Sequence, residues 1–135
     1  MTDDWIETQG GERRGYIQPH ALTELWFHTG TACNLACPFC LEGSKPGDQR
    51  LGRVTLGDVR PFVDEAAALG VRQFSFTGGE PFVNRDLVRI LAYPLDRAPC
   101  LVLTNSVAAV TQRLAQLEPL RASAHPLAFR ISIDH

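Results

Sequence analysis

Residues Thr55 to Pro81 read TLGDVRPFVDEAAALGVRQFSFTGGEP, and two periodicities meet inside them. Up to Gly70 the apolar residues Val59, Phe62, Val63, Ala66 and Ala67 recur at the spacing of one helix face. Thr55 can open that helix, Asp58 three residues on resembles a capping box, and Gly70 suits the C′ stop. From Val71 the period falls to two. Phe74 and Phe76 alternate with Ser75 and Thr77, which predicts a strand running into Gly78-Gly79-Glu80-Pro81.

The same unit repeats on both sides. Upstream, Leu22 to Thr31 alternates, with Leu25 and Phe27 against Trp26 and His28, and ends in a cysteine-bearing loop. Residues Leu41 to Val54 hold Gly43, Pro46, Gly47 and Gly52, a long connection of the kind that carries function. Downstream, a helix is expected from Asn84 as N-cap to about Tyr93, because Pro94 disfavours helix in the residue before it. Cys100 to Leu103 reads as a buried parallel strand ending in Thr104-Asn105. Val110, Leu114 and Leu117 share a helical face. Leu127 to Asp134 reads as a fourth strand, with Phe129, Ile131 and Ile133 opposite Arg130, Ser132 and Asp134. The order β-α-β-α-β-α-β predicts an α/β fold with a parallel sheet and right-handed crossovers.

The face expected to look inward is polar: Ser75, Thr77, Arg130, Ser132 and Asp134. A filled barrel interior would want bulky branched residues there, so a ligand cavity at the C-terminal strand ends is expected instead. Each chemistry-bearing motif follows a strand and so arrives at that edge.

Cys33, Cys37 and Cys40 fall within eight residues. Disulfides need particular separations and orientations that so short a run does not readily supply. Three thiolates around one centre suit a metal. Zinc would call for a fourth ligand, with His28 or Cys100 as candidates. An iron–sulfur cluster, usually held by four cysteines, would be left with an open iron. Cys100 otherwise reads as a small core residue, and His20, His125 and His135 as surface or loop residues.

Composition narrows the classes. The chain has 135 residues, 44% hydrophobic and 21% charged, with a net charge of −2, which fits one modest globular domain. Nothing in that balance suggests nucleic acid or an anionic membrane. No apolar run reaches the length of a membrane span. The first residues, with Asp3, Asp4 and Glu7, lack the pattern of a signal peptide, so a cytoplasmic, thiol-reducing setting is expected. Residues 1–20 read as a flexible leader and 21–135 as the core domain.

Taken together, Cys33-x3-Cys37-x2-Cys40, Gly78-Gly79-Glu80-Pro81, Thr104-Asn105 and Ile131-Ser132-Ile133-Asp134 resemble the radical S-adenosylmethionine (radical SAM) superfamily. The resemblance implies a partial TIM-like (βα)6 barrel, of which about the first four strands are present, the chain stopping near strand four. It implies that Cys33, Cys37 and Cys40 ligate a 4Fe-4S cluster whose remaining iron chelates S-adenosylmethionine. It further implies reductive cleavage to a 5′-deoxyadenosyl radical that abstracts hydrogen from a substrate. Phe39 would pack near the adenine. Gly78 and Gly79 would approach the methionine amino group, where glycine allows close backbone contact. Glu80 would orient that region, Asn105 would end strand three, and Ser132 and Asp134 would contact carboxylate or ribose. An electron donor such as flavodoxin or ferredoxin and a small-molecule or peptide substrate are the implied partners. The other reading is a non-catalytic cluster-binding or electron-transfer module.

Overall fold

In a computed structural model, which describes residues 6–15, 20–107 and 109–133, the helix expected after Thr55 spans Leu56–Ala68 (α1). Its capping box is formed: Asp58 N–H donates to Thr55 Oγ1, and Thr55 N–H donates to Asp58 Oδ2 at 2.8 Å. Gly70 follows with φ of 81°, the left-handed backbone of a C′ residue. Val59, Val63 and Ala66 form the buried line of α1. Phe62, expected on that face, is 57% exposed, since each residue turns the helix by about 100° and Phe62 lies one step off the Val63 row.

The strands are β1 (Glu24–His28), β2 (Gln73–Thr77), β3 (Cys100–Thr104) and β4 (Leu127–Ile131). Among the described residues they form one parallel sheet in the order β1-β2-β3-β4. Strands alternate with α1, α2 (Leu87–Leu95) and α3 (Ala109–Leu117), the partial TIM-like arrangement expected. Register sorts the side chains. Leu25 pairs with Phe74, Phe27 with Phe76, and Phe74 and Phe76 with Cys100 and Val102. These residues form the core layer under the helices, with Phe27 stacked on Phe76 at 5.4 Å between ring centres. Leu87, Ile90, Leu91 and Leu95 of α2 complete it, all fully buried.

The second helix departs from expectation at both ends. Asn84 does not cap it. Pro81–Val83 forms a short 3-10 turn capped by Glu80, and Asn84 closes that turn. The Asn84 side chain accepts from Asp86 N–H and donates to Val54 O at 2.9 Å, so it joins the approach to α1 rather than opening α2. At the far end α2 runs through Pro94 to Leu95. Pro94 sits in the last turn, where it costs one backbone bond. Burial of Pro94 and Leu95, and donation from Arg97 and Ala98 N–H to Pro94 O, hold that turn in place.

The other sheet face matches the polar expectation in part. Trp26 lies beside Ser75, His28 beside Thr77, and Leu103 beside Arg130. Ser75 is fully buried because its hydroxyl donates to Glu24 Oε1, which also accepts from Gln73. β3 contributes half-buried Leu101 and Leu103, so the face is mixed rather than uniformly polar. The helix-side cover thins toward β4: Phe129 and Ile131 are 40% and 51% exposed, and Leu114 of α3, expected inside, is 57% exposed. In the segment expected as a leader, residues 6–14 make a small exposed hairpin, with Thr8 N–H donating to Glu12 O and Arg14 N–H to Ile6 O. No helix among the described residues is long and apolar enough to cross a membrane.

Candidate functional site

The C-terminal ends of the strands open onto a cavity of about 620 Å³. Cys33, Cys37 and Cys40 line it from the loop after β1, Gly78, Gly79 and Glu80 from the turn after β2, Asn105 from the end of β3, and Ser132 from the end of β4. Phe39 lines it too, with 59% of its surface exposed. Asp134 lies outside the described residues. The fold therefore brings the described site candidates, scattered over a hundred residues, to one hollow, as expected of parallel α/β proteins.

The glycine turn is held by the loop after β1. Gly79 N–H donates to Gly30 O and Glu80 N–H to Ala32 O, both at 3.0 Å. A Cβ on Gly79 would stand 2.5 Å from Ala32 O and 2.6 Å from Thr31 O; one on Gly78 would stand 2.7 Å from Gly30 O. Glycine is thus required at both positions by close approach of two backbone segments of this chain. The same turn lines the cavity, where the resemblance places the approach to a cofactor's amino group.

Glu80 is buried and fully engaged. Its Oε1 accepts from Phe82 N–H at 3.0 Å and Thr104 Oγ1–H at 2.8 Å, and its Oε2 accepts from Asn105 N–H at 2.8 Å. It ties the glycine turn to the end of β3. Asn105 carries the tie onward: its Nδ2 donates to Asn34 Oδ1 at 2.9 Å and points at Cys33 Sγ at 3.8 Å. Asn34 returns the contact, donating to Val107 O at 2.6 Å. Sequence reading gave no role to Asn34, whose only signal was a polar residue inside the cysteine motif, and took Thr104 only as part of the Thr104-Asn105 motif, without its bond to Glu80.

Cys33 is buried and accepts from Leu35 N–H at 3.4 Å. Burial, and more weakly the Glu80 carboxylate, push its thiol above the ordinary range, while the Leu35 contact opposes them. Without a compensating positive charge the neutral thiol is therefore favoured. Cys37 and Cys40 are half-buried. By donor chemistry, three thiols lining one cavity suit an iron–sulfur centre, although as placed they are not gathered around one point. Among the described residues no three His, Cys, Asp or Glu side chains form a ready-made ligand set. The proposed zinc ligands are engaged elsewhere. Cys100 is buried on the helix side of the sheet, its thiol facing Ala98 O and pushed up to about 12 by desolvation. His28 bonds to Glu42 at 2.6 Å and makes no direct cavity contact.

Comparison with known proteins agrees with the geometry. The family model described as the radical SAM superfamily matches residues 27–135. A GTP 3′,8-cyclase of Tolumonas auensis is 40% identical over 86 residues, 64% of this chain and 24% of its own length. A GTP 3′,8-cyclase of Synechococcus elongatus is 35% identical over 91 residues, covering 64% of this chain and 27% of that protein. An AdoMet-dependent heme synthase of Methanosarcina barkeri is 31% identical over 91 residues, 67% of this chain and 25% of its length. The matched stretch thus spans about a quarter of each relative.

Proposed function

Because this chain belongs to the radical SAM superfamily, we propose that it holds a 4Fe-4S cluster through Cys33, Cys37 and Cys40 and S-adenosylmethionine in the adjoining cavity. The bound groups would supply reductive cleavage of S-adenosylmethionine to a 5′-deoxyadenosyl radical that takes hydrogen from a substrate. The observation that carries this reading is the meeting of three cysteines, the glycine turn, Asn105 and Ser132 around one 620 Å³ cavity.

In this reading the chain's own residues position and enclose. Asn105 and the Leu35 N–H offer hydrogen bonds to Cys33 Sγ, favouring its ionised form. Glu80 holds the floor of the cavity rigid between β2 and β3, acting through the backbone it ties. Phe39, exposed at the cavity edge, offers a flat apolar face for an adenine ring. Ser132, whose N–H donates to Thr104 O, presents its hydroxyl from the β4 side. The relatives' names, GTP 3′,8-cyclase and AdoMet-dependent heme synthase, point to different substrates, and the proposal takes the substrate class as small molecule or peptide. A flavodoxin- or ferredoxin-type donor in a cytoplasmic setting completes the proposal.

The test is an electron paramagnetic resonance spectrum of the anaerobically reconstituted, reduced chain, with and without S-adenosylmethionine. A cluster signal that changes on addition, and that Cys37→Ala abolishes, is the expected result. A signal indifferent to S-adenosylmethionine would favour a cluster carrier. A wild-type chain that takes up no iron would refute the reading.

A further inference from the structure

The cysteines sit on a ring of chain closed at its neck. Cys33 N–H donates to Lys45 O at 3.3 Å, and Ala32 bridges to Lys45. Cys33, Cys37 and Cys40 all lie between those points. The ring is largely exposed: Phe39 and Leu41 stand out to solvent, and Cys33 borders a second cavity of about 470 Å³ as well as the first. Packing therefore does little to hold these parts of the ring, and its shape depends on a few polar ties.

Two ties anchor it, one to the end of β1 and one to Thr31 just beyond that strand. In the first, Gly30 N–H donates to His28 Nδ1 at 3.3 Å, which leaves the proton on Nε2, and Nε2–H donates to Glu42 Oε1 at 2.6 Å. Ser44 Oγ donates to the other oxygen, Glu42 Oε2, at 3.1 Å. In the second, Thr31 Oγ1 donates to buried Asp48 at 2.9 Å, and the Arg50 guanidinium spans Asp48 Oδ2 and Glu42 O, at 2.6 Å each. Both ties converge on Glu42, two residues after Cys40. Side chains that orient metal ligands are worth about 10–100-fold in metal affinity, so such ties have a function to serve.

We propose that His28 and Glu42 are positioning residues, whose hydrogen bond keeps the cysteine ring closed so that its thiols face the cavity before any metal arrives. The inference deepens the reading of Cys33, Cys37 and Cys40 as cluster ligands and rests on it. It assigns His28 a role through the ring rather than as a ligand or a substrate contact.

The experiment measures alkylation of each cysteine by iodoacetamide in the reduced, metal-free full chain, read by peptide mass spectrometry. His28→Ala and Glu42→Ala should raise the Cys40 rate about three- to fivefold, the modest factor suited to a partly exposed pair. His28→Gln, which returns an N–H donor near the Nε2 position, should restore the wild-type rate. Cys100, deep in the core, serves as the internal reporter of unfolding and should stay protected throughout. After reconstitution, the two alanine variants should also lose iron to a chelator faster than wild type. Unchanged Cys40 rates in both alanine variants, with Cys100 protected, would overturn the proposal. Should His28→Ala expose Cys100, Glu42→Ala on the exposed loop decides by the same comparison. Because alkylation is read without metal, a wild-type chain that binds no iron would refute the cluster reading separately.

Discussion

Replacing Gly79 by alanine tests the central packing relation of the site. The added Cβ would stand 2.5 Å from Ala32 O, 2.6 Å from Thr31 O and 2.8 Å from Ala32 C, all backbone atoms with no rotamer to turn aside. Relief requires the two segments to separate by most of an ångström, against an ordinary C···O contact of about 3.3 Å or more. That motion stretches the Gly79–Gly30 and Glu80–Ala32 hydrogen bonds. Overpacking costs about 1–3 kcal/mol, and the two hydrogen bonds, stretched rather than lost, about 1 kcal/mol together, so the total is about 2–4 kcal/mol. With a urea slope of about 2 kcal/mol/M, the unfolding midpoint should fall by about 1–2 M. Because Ala32 adjoins Cys33, the cluster proposed above should load less iron as well. Gly43→Ala is the control: its φ is 62° but nothing lies within 4 Å of the new Cβ, so only about 1–2 kcal/mol of backbone strain is expected. A Gly79→Ala protein with wild-type midpoint and full iron loading, or one less affected than Gly43→Ala, would refute the steric argument.

Other perturbations follow from the same geometry. Glu80→Ala strands the Phe82 and Asn105 N–H groups and the Thr104 hydroxyl, at about 1–3 kcal/mol for each buried group left unpaired, and should lower the denaturation midpoint more than Glu80→Gln, which keeps acceptor oxygen. Asp48 is held well below its ordinary range, first by Arg50, so its carboxylate stabilises the fold above about pH 4, and that contribution is lost as pH falls toward its folded value. Acid titration of stability should therefore be shallower below about pH 4 in Asp48→Asn than in wild type, and identical slopes would count against the tie. Ile131, half exposed on the thinly covered helix side of β4, should promote self-association, which Ile131→Lys should reduce in light scattering; a monomeric wild type would contradict this.

Much of the α/β order was legible because period is a local property. The shift from helical spacing in Val59–Ala67 to alternation in Phe74–Thr77 needs no tertiary information. The start of α2 misled because Asn84 is a residue type that suits a cap, while its side chain is drawn to a carbonyl thirty residues away, Val54 O, and the helix begins at Leu87 without a side-chain capping bond. Phe62 and Leu114 were misplaced because apolar spacing shows which residues can be buried, while only packed neighbours show which ones are.

By itself the sequence determined the alternation of strands and helices, the three clustered cysteines, and the placing of each motif after a strand. Parallel topology then delivers those motifs to one edge whatever the details. The tertiary structure decided what each motif does there. It made the glycines a fit against the chain's own backbone, Glu80 an internal tie, and His28 a partner of Glu42. The physical reason is range. Periodicity and capping act over a few residues, whereas these contacts join segments 14 to 49 positions apart and exist only once the sheet has brought them together.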